Sequence, residues 1–251
     1  MAFPNIIYGR YGDEKKVSGT KVLELGQRMQ LPDGQIYAYA QCSSTAALAV
    51  SLVVTAKAVH FADSALLATA SKGATTVVVT FGATAAAVPA NLYEDGTLYA
   101  YKGAVAPGLK YKIKSHGTAG AATALTVNLQ AKDKVHVTMT ASTVMLRENP
   151  FKYVLLSAGA TAEVGIVAGV PAASCAVSDY IWLQRRGECL VKTAATIGVV
   201  GTPVVLAAGT AGNVSRWIAA ADTSTNQGPI GTFVSSVTTA ADYGLIYLTL
   251  D

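Results

Sequence analysis

An all-β fold follows from three features of this 251-residue chain. Apolar runs of four to eight residues, rich in Val, Thr and Tyr, recur from residue 35 onward. Gly-containing breaks separate them, at the spacing of strands and turns in a sandwich or barrel. One run also displays its two faces: in Lys110-Tyr-Lys-Ile-Lys114 lysines alternate with apolar residues, so the lysines share a solvent face. A 51% hydrophobic content excludes disorder, which needs low hydrophobicity and high net charge. No Gly-X-Y period or sustained charged heptad occurs, so collagen and coiled coil are excluded.

Taken in order, residues 1–34 stand apart. They are rich in charge and glycine, hold neither a helical nor a strand period, and read as an extended N-terminal arm. Fully stretched, such an arm reaches on the order of 100 Å at about 3.3 Å per residue. Leu31-Pro-Asp-Gly34 is a turn signal, with Pro and Asp-Gly where a tight turn uses them. Strand-like runs follow at Gln35–Ala40, Thr76–Phe81, Thr97–Tyr101, Leu109–Ile113 and Leu125–Leu129. They continue at Tyr153–Leu156, Tyr180–Leu183, Val204–Ala208 and Tyr243–Leu250. The last is apolar on both faces, which places it mid-sheet or at an interface. Ala62–Ala70, rich in Ala and Leu, breaks the pattern and reads as a short helix or a loop. Charged Arg147-Glu148 before Asn149-Pro150 marks the internal break, because the residue before Pro favours extended backbone. The chain therefore divides into the arm, a first β-domain over 35–148 and a second β-region over 149–251.

Net charge is +4 and the isoelectric point about 8.9, too mild for a nucleic-acid partner without clustered Lys and Arg. The longest uncharged runs, Gly34–Ala56 and Thr193–Ser215, are long enough to span a membrane but are broken by Ser, Thr, Gly, Gln or Pro. After Lys192 only Arg216, Asp222, Asp242 and Asp251 are charged, so that surface is Thr- and Ser-rich or covered by another subunit. Cys42, Cys175 and Cys189 are odd in number and widely spaced, which reads as buried free thiols in a protein folded in a reducing cytoplasm. The N-terminus carries no secretory signal pattern.

Catalytic chemistry is sparse. No GxSxG elbow seats a serine near His60, His116 or His136, which read as structural or surface histidines. Asp95-Gly96 reads as a hairpin turn between Tyr93 and Thr97. The stretches Gly117–Gly120 and Gly209–Gly212 lack the Lys-Ser/Thr ending of a phosphate loop, and no His, Cys and Asp cluster has metal-ligand spacing. The expectation is a non-enzymatic protein without cofactor or metal. Trp182 and Trp217 could serve as a sugar-binding platform, although a core tryptophan is the commoner case in a β-domain.

The ordered motifs resemble those of a family of tailed-bacteriophage virion proteins common in marine and freshwater phages, of the head decoration (cement) type. Tyr8-Gly-Arg-Tyr-Gly-Asp-Glu-Lys15, Leu25–Gly34 and Tyr37-Ala-Tyr-Ala40 are similar to its opening. Gly73–Gly82, Asp95-Gly-Thr-Leu98, Tyr111–His116 and Glu148-Asn-Pro-Phe151 follow in the same order. Tyr180-Ile-Trp-Leu-Gln184 with Gly187, then Tyr243–Leu250, complete the likeness over nearly the whole chain. The resemblance implies no catalytic residues. It implies a trimeric β-rich body on the capsid surface, bound to the major capsid protein and bridging its subunits. The host cytoplasm would be its place of synthesis. Tyr8, Arg10, Tyr11 and Lys15 are the expected capsid contacts, and an arm ordered on binding could add strands to a neighbour's sheet. The runner-up is a head- or tail-fibre module that binds host glycans.

Overall fold

The computed structural model describes residues 5–57, 61–82, 87–102, 108–158, 165–194, 199–217, 228–237, 239 and 242–251. Their architecture is all-β. The strands are β1 (Ile6–Tyr8), β2 (Arg28–Gln30), β3 (Ile36–Gln41), β4 (Val54–Thr55), β5 (Phe61–Ala70) and β6 (Thr76–Thr80). Next come β7 (Thr97–Lys102), β8 (Leu109–His116), β9 (Ala124–Leu129), β10 (Met139–Arg147), β11 (Leu155–Leu156) and β12 (Val167–Pro171). The series ends with β13 (Tyr180–Lys192), β14 (Pro203–Leu206), β15 (Val214–Arg216), β16 (Gly231–Phe233) and β17 (Tyr243–Thr249). A 3-10 turn at Asp13–Lys15 is the remaining regular element. No helix among the described residues is long and apolar enough to cross a membrane.

Two compact units result. Residues 59–149 form one, and residues 1–58 with 150–251 form the other. The first is a closed six-stranded barrel in the order β10-β5-β6-β9-β8-β7. Strict alternation builds it: Val77 and Val79 point inward from β6, Leu125, Val127 and Leu129 from β9, and Tyr111 and Ile113 from β8. Each such side chain contributes about 1.5–3 kcal/mol on burial. Lys110 and Lys114 face solvent, as their alternation requires. Ala62–Ala70 is not a helix or loop but part of β5, paired with both β10 and β6. Barrel closure needs hydrogen-bond partners on both edges there, and this overrides the local preference of Ala and Leu for helix. Asp95-Gly96 does lie in a turn, but it closes no hairpin, because β7 pairs with β8 and β10. A β-carbon on Gly96 would collide with the Arg147 carbonyl oxygen, so only glycine fits.

In the other unit the main sheet runs β1-β2-β3-β13-β17-β16-β14-β15, with β4, β11 and β12 paired beside it. The long β13 organises it: its first half pairs with β3 and its second half with β17. β17 is indeed mid-sheet, between β13 and β16. Residues 35–58 therefore group with the later chain and not with 59–149, which corrects the expected 35–148 domain. The physical cause is the pairing of β3 with β13 and of β4 with β11 and β12. Residues 5–34, read as an arm, run along this sheet, with β1 parallel to β2 and β2 antiparallel to β3. Leu25, Met29 and Leu31 are buried there against Tyr37, Tyr39 and Trp182. Asp251 accepts from both Arg28 and Arg185, at 2.9 and 3.1 Å.

The thiol reading also needs correction. Cys42 and Cys175 are joined in a disulfide across 133 positions, and only Cys189 is a buried free thiol. Pairing of β3 with β13 brings the two distant ends together, since the Cys42 N–H donates to the Asp179 carbonyl at 2.7 Å.

Candidate functional site

The four expected contact residues sit on one short, braced segment. β1 lies beside β2, which leaves Tyr8 exposed at its end. The Gly9 N–H donates to the Gln30 carbonyl at 2.9 Å and ends the pairing. At Gly12 the chain enters the left-handed region, φ 100°, and turns into the 3-10 segment. Two acidic side chains hold this turn. The Arg10 N–H donates to Asp13 Oδ2 at 2.8 Å, and the Gly12 N–H donates to Glu14 Oε2 at 2.7 Å. Lys16 Nζ pairs with Asp13 Oδ1 at 2.6 Å, while Lys15 Nζ lies 3.9 Å from the buried Glu14. The Lys16 ammonium, with the Arg10 backbone N–H, holds the Asp13 carboxyl below its ordinary value. These adjacent acids therefore serve as turn ligands. Tyr8, Arg10, Tyr11 and Lys15 are all exposed around them.

Beyond the turn, Ser18 and Tyr180 exchange both backbone hydrogen bonds, at 3.0 and 2.8 Å, and fasten the segment to β13. A cavity of about 270 Å³ lies here, lined by Ile7, Met29, Tyr39, Tyr180 and Trp182 with the Asp13–Lys16 pair. Among these lining residues Tyr39 is stacked on Tyr180 at 5.8 Å and edge-on to Trp182 at 5.2 Å. Its hydroxyl accepts from the Val22 N–H at 3.3 Å. Burial pushes the Tyr39 hydroxyl above its ordinary value. Burial, reinforced by the Glu14 charge, does the same to Tyr37. Neither is an acid or base near neutral pH.

The two tryptophans separate. Trp182 is only 7% exposed and packs with Met29 and Tyr39, whereas Trp217 is 44% exposed. His116 is buried with both ring nitrogens engaged: Nε2 accepts from the Tyr93 N–H at 2.9 Å, and Nδ1 lies 2.7 Å from the Gly117 carbonyl. His136 is exposed beside Tyr111, and His60 lies outside the described residues. Among the described residues no three of His, Cys, Asp and Glu converge in a metal-binding group. What the segment offers is an exposed edge of two tyrosines, an arginine and a lysine on a turn held by hydrogen bonds and an ion pair. Sequence reasoning missed the bracing by Asp13 and Glu14, although their place after the Gly9 and Gly12 breaks was the available signal. No family model, curated protein or solved structure matches the chain.

Proposed function

We propose that this chain is a structural protein of a phage virion, a head decoration (cement) protein. It binds the outer surface of the capsid and bridges major capsid protein subunits to stabilise the shell, with no chemistry of its own. The observation that carries the reading is the exposed edge of Tyr8, Arg10, Tyr11 and Lys15 on a turn held by its own acids. Tyr and Arg dominate the energetics of protein interfaces, and a contact already held in shape loses little entropy on binding. A homotrimer would repeat that contact around a closed axis, and multivalency would multiply a modest affinity. The charge-poor chain after Lys192 supplies surface for association between copies.

Deletion of residues 1–34 is a poor test, because it strips Leu25, Met29 and Leu31 from a buried cluster. Surface substitution is cleaner. The combined Tyr8→Ala, Arg10→Ala, Tyr11→Ala and Lys15→Ala protein is expected to keep its circular dichroism spectrum. It should bind purified phage heads about 100-fold or more weakly than the unaltered chain. Binding unchanged by these substitutions overturns the contact assignment. A copy number in purified virions far below that of the major capsid protein, counted by mass spectrometry, overturns the decoration role.

The exposed ring of Trp217 favours a second reading, a fibre module that stacks host sugars on it. Quenching of tryptophan fluorescence by glycans, lost in Trp217→Ala, would distinguish it.

A further inference from the structure

We infer that the outward face of β13 and β17 is a self-complementary contact that pairs two copies of this chain across a two-fold axis. The inference rests on strand register, exposure and charge, and stands apart from the capsid role. In the second half of β13, Cys189 and Val191 point to the core, as do Ile246 and Leu248 of β17. The alternate residues form the other face. Register places Glu188 opposite Tyr247, Leu190 opposite Leu245, and Lys192 opposite Tyr243. Leu190 is 54% exposed, Tyr243 53% and Tyr247 40%, an unusual concentration of apolar surface on two adjacent strands.

The pattern is symmetric about its middle. A Leu–Leu pair is flanked on each side by one tyrosine and one charge, and the two charges are opposite. Neither Glu188 nor Lys192 has an ion pair among the described residues. Consider a two-fold axis that runs across the strands at the Leu190–Leu245 pair. It reverses strand direction, so residue 188 of one copy lies over residue 192 of the other. Each Glu188 then meets a Lys192, each Tyr247 meets a Tyr243, and leucines meet leucines at the centre. Sheets packed face to face sit about 10 Å apart with strands nearly aligned, which these side chains can span. A second copy is thus the occupant whose charges fit, because the face carries its own complement. The contact is two-fold and distinct from the three-fold association proposed above.

The test uses the full chain and its mass in solution by sedimentation. The unaltered protein should be a dimer or a larger assembly with an even number of copies. Leu190→Lys should raise the dissociation constant about 100-fold with the circular dichroism spectrum unchanged. Glu188→Lys and Lys192→Glu should each weaken association about 10-fold, and the double reversal should restore it to within a few-fold. Monomer at all concentrations, or an odd-numbered assembly, overturns the proposal. So does failure of the double reversal to rescue the single ones. Should Leu190→Lys disturb folding, the charge cycle alone decides.

Discussion

Asp13 illustrates how one half-buried carboxylate can organise a turn. Its two oxygens take the Arg10 N–H and the Lys16 ammonium, so the turn that displays Tyr11 and Lys15 depends on its charge. Because its folded value is lowered, its contribution is present above the ordinary carboxylate value of 3.8 and is lost as pH falls through the lower folded value. An NMR titration should therefore show the Arg10 amide resonance constant from neutral pH to about 4 and shifting only below it. A midpoint at or above the ordinary value would mean that the side chain is not engaged. His116 makes the contrasting case. Its ring is committed to the Tyr93 N–H and the Gly117 carbonyl in the barrel, an architectural use of a residue type often searched for catalysis.

At the scale of elements, β5 shows most clearly what pairing can impose. Leu66 is buried and its neighbour Leu67 exposed, followed by buried Ala68, a period of two that a helix cannot produce. Leu66→Ala should lower stability by about 2–5 kcal/mol, measured by urea unfolding, because it opens a cavity in the barrel core. Leu67→Ala should change it by no more than about 0.5 kcal/mol. Equal effects would contradict the strand register. β8 needed no such help, since alternating lysines already marked its solvent face. β17 lies between the two cases. Apolar residues on both its faces require two coverings, and the fold supplies one of them, the core under Ile246 and Leu248.

For the whole molecule, the covalent tie between Cys42 and Cys175 has the widest reach. It closes a loop whose ends are 133 positions apart, and such a closure stabilises by about 2–5 kcal/mol through the unfolded chain. Cys189 is the third thiol, and burial pushes it up to about 12, which leaves it inert in the folded protein. Thiol counting should then find none accessible in the native state, one after denaturation and three after denaturation with reductant. Reduction should lower the melting temperature of the 1–58 and 150–251 unit by roughly 5–15 °C. Three thiols without reductant, or no change in melting, would remove the disulfide from the account.

The sequence by itself determined the all-β class, most strand positions and the solvent face of the Lys110–Lys114 run. Those properties follow from local alternation, turn residues and the solvation of charge, each readable within a few positions. Only the tertiary structure decided that β5 is a strand, that residues 35–58 join the later chain, and that Cys42 meets Cys175. Each of these depends on partners brought from far along the chain. Short-range preference carries no record of which distant strand will satisfy a given row of N–H and C=O groups.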